Sequence, residues 1–139
     1  MANYYAAARS NYVHIDDMAG LIQALSPFSD LRITEGTPDS GLYCILCEEG
    51  WPGFGIDDND KEVEFDPLKH IVPFIREGEV FVMMEVGHEK LRYLVGFANA
   101  YCRVADGEVL QWGVSIDDIY SAAAREFGVD RGSINPAQY

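Results

Sequence analysis

The amino-acid sequence predicts an α+β fold, a single domain with a mostly antiparallel sheet and two to three helices. The chain has 139 residues, the usual length of one domain. Its hydrophobic fraction of 48% and aromatic fraction of 12% are enough for one apolar core. Segments typical of strands follow one another in groups, and helical segments rarely interrupt them. This order is typical of helices packed on one face of an antiparallel sheet.

The N-terminal third predicts a strand, a helix and two more strands. Residues 4–15 are rich in Tyr, Val and Ala, which favour a strand. Asp16 is placed to cap a helix whose apolar residues recur at helical spacing, and the helix ends before Pro27. Strands at residues 31–34 and 42–47 then lie on either side of a turn rich in Gly and Pro.

The middle of the chain predicts an irregular segment and an interrupted helix. Residues 51–55 contain Gly and Pro between aromatic residues, which indicates a loop or a short edge strand. Asp66 followed by Pro67 predicts the start of a helix, because aspartate caps helices and proline suits their first turn. Pro73 must kink or split this helix, since proline lacks the amide donor and clashes one turn back.

The C-terminal part predicts a three-stranded antiparallel meander. Its strands are expected at residues 79–86, 91–104 and 109–116, where β-branched and aromatic residues are frequent. The turn at residues 105–108 contains Asp and Gly, which are typical of a hairpin connection. Consecutive hairpins of this kind place three strands side by side.

A last helix is predicted after the meander. Ser115 and Asp118 have capping-box spacing, and Gly128 is placed to end the helix. Its apolar residues form one stripe. They are Ile116, Ile119, Tyr120, Ala123 and Phe127. We expect residues 1–128 to form the domain and residues 129–139 to form a loosely ordered tail.

The charge balance restricts the class of partner. Lys and Arg total 10 whereas Asp and Glu total 23, so the net charge is −13 and the pI is near 4.4. Such a charge repels phosphate and anionic membranes and attracts basic surfaces. We therefore expect a basic protein surface as partner and no direct binding to nucleic acid or membrane. The alternative is that the acidity serves solubility alone.

The sequence indicates a cytoplasmic protein. No segment approaches the ~18 consecutive apolar residues of a membrane helix. The N-terminus lacks the basic and apolar regions of a secretory signal. Three cysteines are too few, and odd in number, for a secreted disulfide framework.

The segment Ile56–Asp66, IDDNDKEVEFD, holds six acids against the single Lys61. A calcium-binding loop that began at Asp58 would need Gly at its sixth position and Glu at its twelfth. Those positions hold Val63 and Lys69, so the standard calcium loop is excluded. An irregular calcium site remains an alternative interpretation, and we assign no metal ligand and no cofactor.

Four acids of this segment alternate, and a fifth continues the series. They are Asp58, Asp60, Glu62 and Glu64, followed by Asp66. On an extended strand their carboxylates would lie about 6–7 Å apart on one face, a row that resembles the phosphates of a nucleic-acid strand. The alternative is that the acids face solvent only because Val63 and Phe65 face the core.

The candidate partner-binding residues are these acids, two acids before them and two aromatic side chains as apolar anchors. They are Glu48, Glu49, Trp51, Phe54, Asp57, Asp58, Asp60, Glu62 and Glu64. An aromatic side chain beside a charged rim is typical of an interface. The alternative is that Trp51 and Phe54 fold back onto the sheet.

No catalytic residue is assigned. Cys44 and Cys47 have CxxC spacing, but in an apolar strand residues three apart face opposite sides, so buried unreactive thiols are predicted. No phosphate-binding loop, nucleophile elbow or zinc-protease motif is present. A small enzyme that uses His88, Arg92 and Tyr93 remains an alternative interpretation.

Several segments carry a resemblance to a class of proteins. Tyr4-Tyr5 with Arg9–Val13, Glu85–Gly96 and Ser115–Ile119 resemble small, acidic, uncharacterised proteins of bacterial plasmids and phages. Acidic proteins of such mobile elements include anti-restriction and anti-CRISPR inhibitors, some of which mimic DNA. The resemblance implies an inhibitor that blocks a nucleic-acid-binding defence protein of the host. An immunity or adaptor protein for a basic toxin or host protein is the alternative, and the oligomeric state is left open.

Overall fold

The computed structural model describes residues 3–138, which fold as the α+β domain that the sequence predicts. The strands are β1 (Tyr5–Ser10), β2 (Val13–His14), β3 (Arg32–Glu35), β4 (Leu42–Cys47), β5 (Phe54–Ile56), β6 (Glu62–Glu64), β7 (Val80–Glu89), β8 (Tyr93–Arg103) and β9 (Val109–Ser115). The α-helices are α1 (Met18–Leu25), α2 (Pro67–His70) and α3 (Asp118–Phe127). Turns of 3₁₀ helix lie at Val72–Phe74, Ala105–Gly107 and Arg131–Ser133.

Among residues 3–138, seven strands form one antiparallel main sheet, and β5 and β6 form a separate two-stranded sheet. In the main sheet β4 pairs with β3 on one edge and with β1 and β2 on the other. β1 lies between β4 and β7, and β8 and β9 complete the order. The meander of β7, β8 and β9 is therefore confirmed, and β9 is an edge strand of the described sheet.

The first predicted strand is interrupted in the structure. Residues 4–15 form β1 and β2, separated by Asn11 and Tyr12. The Asn11 side chain accepts a hydrogen bond from the Val82 amide at 2.8 Å and donates one to the Val80 carbonyl at 2.9 Å. An asparagine side chain that bonds to neighbouring backbone in this way replaces the regular ladder.

The cap of α1 is one residue later than predicted. Asp17, rather than Asp16, accepts the hydrogen bond from the Gly20 amide, at 2.9 Å. Asp16 forms an ion pair with Arg76, whose Nε lies 3.2 Å from its carboxylate. Both aspartates are good capping residues, and both lie just before the first apolar residue of the helix. The sequence alone could therefore not show which of the two caps α1.

The interrupted helix in the middle of the chain is confirmed. Asp66 caps α2 and accepts a hydrogen bond from the Leu68 amide at 3.0 Å, with Pro67 in the first turn. Pro73 lies in the 3₁₀ turn that follows α2, and the two helical pieces are separate. Both features depend on local chemistry, which is why the sequence predicts them well.

One face of the main sheet carries the core. Its buried side chains come from α1 and the loop after it, from the α2 region and from the inward positions of β2, β4 and β7. They are Val13, Leu21, Leu25, Phe28, Ile45, Ile71, Val72, Ile75, Phe81 and Met83. α3 contributes no buried residue to this core, although its sequence is amphipathic. Within residues 3–138, no helix has the length and apolar character needed to cross a membrane.

Candidate protein-binding hairpin

The acidic segment folds as a β-hairpin that presents a mixed apolar and acidic face. β5 and β6 pair antiparallel, with Phe54 opposite Glu64 and Ile56 opposite Glu62. All four residues are exposed, and Phe54 and Ile56 retain 61% and 52% of their accessible surface. We call Phe54, Ile56, Glu62 and Glu64 the hairpin face. Each apolar side chain on this face has a carboxylate as its cross-strand neighbour.

Residues 57–61 form the loop of this hairpin. One Asp57 carboxylate oxygen accepts hydrogen bonds from the amides of Asn59 and Lys61, both at 2.9 Å. Asp60 has a left-handed backbone with a φ of 58°. Aspartate favours both features, because its side chain mimics a turn and it tolerates positive φ better than most residues.

The predicted row of alternating carboxylates is therefore wrong. Asp58 and Asp60 lie in the loop, so only Glu62 and Glu64 alternate on a strand. Asp66 does not continue the row, because its carboxylate caps α2. The inward positions of the prediction are confirmed, since Val63 and Phe65 are partly buried and pack against the core.

The hairpin is fastened to the rest of the domain by backbone contacts. The Ile56 amide donates to the Pro27 carbonyl at 3.1 Å, and the Phe65 amide donates to the Gly53 carbonyl at 2.9 Å. Gly55 passes so close to the Pro27 carbonyl that a Cβ atom at this position would clash with it. The hairpin face is thus held in one orientation toward solvent.

Trp51 and Phe54 have different environments. The Trp51 ring stacks on Phe65 with centroids 6.4 Å apart and an interplanar angle of 5°, and its indole nitrogen donates to the Met84 carbonyl at 3.1 Å. Trp51 therefore folds back onto the domain, which was the alternative for both aromatic residues. Phe54 projects from the hairpin face, where it is available to a partner.

A buried carboxylate that the sequence did not single out supports the Trp51 loop. Glu85 is only 8% exposed, and its two oxygens accept hydrogen bonds from the Trp51 amide at 2.7 Å and the Tyr4 hydroxyl at 2.9 Å. Burial, together with the hydrogen bond and charge of Glu85, raises the pKa of Tyr4 to about 12. Phe81 and Met83 occupy alternate, inward positions of β7. Continuing this alternation by two residues could have predicted that Glu85 also faces inward.

The remaining candidate acids are spread around the hairpin. Glu48 and Glu49 follow β4 and are exposed. Glu48 lies 3.0 Å from Arg32 of β3, in an ion pair whose two side chains are both largely exposed. Such a pair adds about 0–1 kcal/mol, so Glu48 is only weakly held. The structure brings Glu62 and Glu64 together with Phe54, and it does not place Glu48 on the hairpin face.

Two of the three cysteines have the buried environment that the sequence predicts, whereas Cys102 is partly exposed. Cys44 and Cys47 are buried, and the Cys47 thiol lies 2.8 Å from the Gly50 carbonyl. Burial raises the pKa of Cys47, which disfavours a reactive thiolate. Across the described part of the chain, no group of three or more His, Cys, Asp or Glu side chains has a geometry suited to a metal ion.

Comparisons with known proteins supply no relative from which a role could be transferred. No family model, curated protein or solved structure matches the chain. The chemistry of the site therefore follows from its own residues, two exposed apolar side chains beside two carboxylates on a fastened hairpin. This combination suits a partner surface that is basic and has an apolar depression.

Proposed function

We propose that this chain is an acidic protein-binding inhibitor of a mobile element. In the cytoplasm, its hairpin face would bind a host defence protein that handles nucleic acid and occupy the basic surface where nucleic acid binds. The observation that carries the proposal is the cross-strand pairing of exposed Phe54 with Glu64 and exposed Ile56 with Glu62. A solvated acidic strand does not need an apolar side chain beside each carboxylate.

The two kinds of side chain would have separate roles in binding. The net charge of −13 attracts a basic surface over a distance and increases the association rate. Burial of Phe54 at the interface would contribute about 1.5–3 kcal/mol and slow dissociation. Lys and Arg in a nucleic-acid groove offer charge to the carboxylates and aliphatic stems to the apolar residues.

This mode of binding does not require a full copy of the phosphate row. Glu62 and Glu64 supply the ordered charges, and the loop acids Asp58 and Asp60 strengthen the field around them. Because Asp57 and Asp66 hold local structure, their loss would change the fold of the hairpin as well as its charge.

The test is capture of a partner from nuclease-treated bacterial lysate, followed by affinity measurements with the purified partner. The hairpin variants are Glu62→Gln with Glu64→Gln, and Phe54→Ala. The matched control is Asp106→Asn with Glu108→Gln, which removes the same charge from the exposed β8–β9 turn. We expect each hairpin variant to raise the Kd about tenfold or more, whereas the control changes it about twofold.

Competition with nucleic acid and the dependence of the Kd on salt then distinguish the inhibitor from the immunity or adaptor protein. For the proposed inhibitor, the partner's own nucleic acid displaces the chain, and binding weakens markedly between about 0.05 M and 0.3 M NaCl. A basic partner that binds nucleic acid and this chain at once would favour the immunity or adaptor alternative. Equal affinity of the native chain and both hairpin variants would show that the hairpin face is only a solvated surface.

A further inference from the structure

Within residues 3–138, the second face of the main sheet leaves large apolar side chains of the meander exposed. The pairing register places Met84, Ala98 and Val114 side by side on this face, one from each strand of the meander. Val86, Leu110 and Trp112 point to the same side. We call Met84, Val86, Ala98, Leu110, Trp112 and Val114 the outer face.

The outer face is apolar and free of charge where the meander forms it. Trp112 is 76% exposed, and Met84 and Val86 are each more than half exposed. Residues 93–102 and 109–116 contain no charged side chain. An exposed, neutral edge strand next to such a face is a surface that proteins normally cover.

The apolar stripe of α3 is also exposed. Its stripe exposes Ile119 at 63% and Phe127 at 77%, and no residue of the helix is buried. Its main packing neighbour is the short 3₁₀ turn that follows it. A ten-residue helix with so little packing is marginally stable in water, so an apolar surface on the stripe would stabilise it.

The exposed surface is large enough for a stable association. The outer face and the stripe of α3 together expose apolar side-chain surface on the order of 900 Å². Each partner of a standard protein interface buries about 800 Å². The two surfaces also have matching chemistry, because both are apolar and uncharged.

We propose that two copies of this chain form a two-fold dimer in which α3 of each copy packs across the outer face of the other. One chain carries both halves of the contact, an apolar helix and an apolar sheet face. Within one copy Ile116, just before α3, lies beside Gly96 of this face, whereas Ile119 and Phe127 of the helix stay exposed. The absence of charge on the outer face of the meander lets two chains of net charge −13 approach there. This inference does not depend on the hairpin or on the proposed function.

The test is the molar mass in solution by light scattering, between about 1 and 100 µM chain. The variants are Ile119→Lys on the stripe and Val114→Glu on the outer face. The control is Ile22→Lys, because Ile22 is equally exposed, at 57%, on α1. We expect the native chain and the control to be dimers, and each of the two variants to be a monomer that keeps the circular dichroism signal of the sheet.

Mixing the two monomeric variants tests whether α3 of one copy packs on the outer face of the other copy. In a mixed dimer, one native α3 packs on one native outer face, and the lysine of the other helix lies near the new glutamate. We therefore expect a heterodimer from the mixture. A monomeric native chain, a dimer that survives Ile119→Lys, or a mixture that stays monomeric would overturn the proposal.

A measurement on the unmodified chain covers the case in which a variant fails to fold. Hydrogen exchange of the α3 amides should be slow at high chain concentration and fast on dilution into the monomer range, while exchange in β4 stays unchanged. Fast exchange in α3 under conditions where the mass is that of a dimer would show that another surface joins the copies, and would overturn the proposal.

Discussion

At the scale of single residues, Asp57 decides how the acidic segment folds. Its carboxylate accepts two backbone amides and closes the loop of the hairpin. The neighbouring Asp58 makes no such contact and is exposed. Two adjacent aspartates with the same charge thus have different roles, one in local structure and one in the surrounding field.

Replacement of Asp57 by alanine should lower the free energy of unfolding by about 1–2 kcal/mol, because two amides lose their acceptor. Asp57→Asn should retain most of the stability, since its side-chain oxygen can accept the same bonds. Asp58→Ala removes the same charge and serves as the control. Urea unfolding of the three variants checks this expectation, and equal stability of the two alanine variants would contradict it.

This residue also shows where prediction from sequence stops. Alternating acids between positions 58 and 64 are compatible with a strand and with a turn followed by a strand. Which of the two forms depends on which carboxylate accepts hydrogen bonds from the backbone amides of the loop. Asp57, Asp58 and Asp60 are the same residue type, so the sequence does not show which one it is. The sequence could therefore identify the acidic segment and the inward Val63, but not the loop.

At the scale of secondary-structure elements, the hairpin keeps its orientation because Gly55 has no side chain. The close approach of Gly55 to the Pro27 carbonyl lets the Ile56 amide bond to the same oxygen. Neighbouring Gly53 has open space around its Cα. The two glycines of the WPGFG segment therefore differ in what they permit.

Gly55→Ala should destabilise the domain by about 1–3 kcal/mol, since the added methyl group must push the hairpin away from Pro27. It should also weaken the binding of any hairpin partner, because the hairpin face is displaced. Gly53→Ala should leave the melting temperature nearly unchanged. Calorimetry of both variants tests this, and a similar loss at both positions would point to loop flexibility as the cause.

Elements with local signals were predictable and elements with distant partners were not. Asp66 and Pro73 set the limits of α2 through their own chemistry, and the sequence shows both. The break at Asn11 depends on β7, about seventy residues later, with an Asn11–Val82 separation of 71. The amphipathic stripe of α3 was predictable, but the exposure of its Ile119 and Phe127 was visible only in the structure.

At the scale of the whole molecule, the excess of acids opposes compact folding. The net charge of −13 is distributed over a small domain. In the part of the chain that the structure describes, a few ion pairs connect basic groups to acids. Like charges at this density repel one another in the folded state, and dissolved salt screens the repulsion.

The melting temperature should therefore rise by several degrees between about 0.01 M and 0.3 M NaCl at constant chain concentration. The rise should be smaller for Asp58→Asn with Asp60→Asn, because these changes remove two charges from the most acidic loop. Differential scanning fluorimetry measures both effects. A melting temperature that stays constant or falls with salt would mean that ion pairs offset the repulsion.

The central position of β1 sets an order of events during synthesis. Tyr4 and its partner Glu85 are 81 residues apart, and β1 pairs along most of its length with β7. A ribosome adds about 5–20 residues per second, so the first strand waits several seconds for its neighbour to emerge. The meander closes through short turns, whereas insertion of β1 must close a long loop. β1 is thus the strand of this domain that a chaperone would meet without its β7 neighbour.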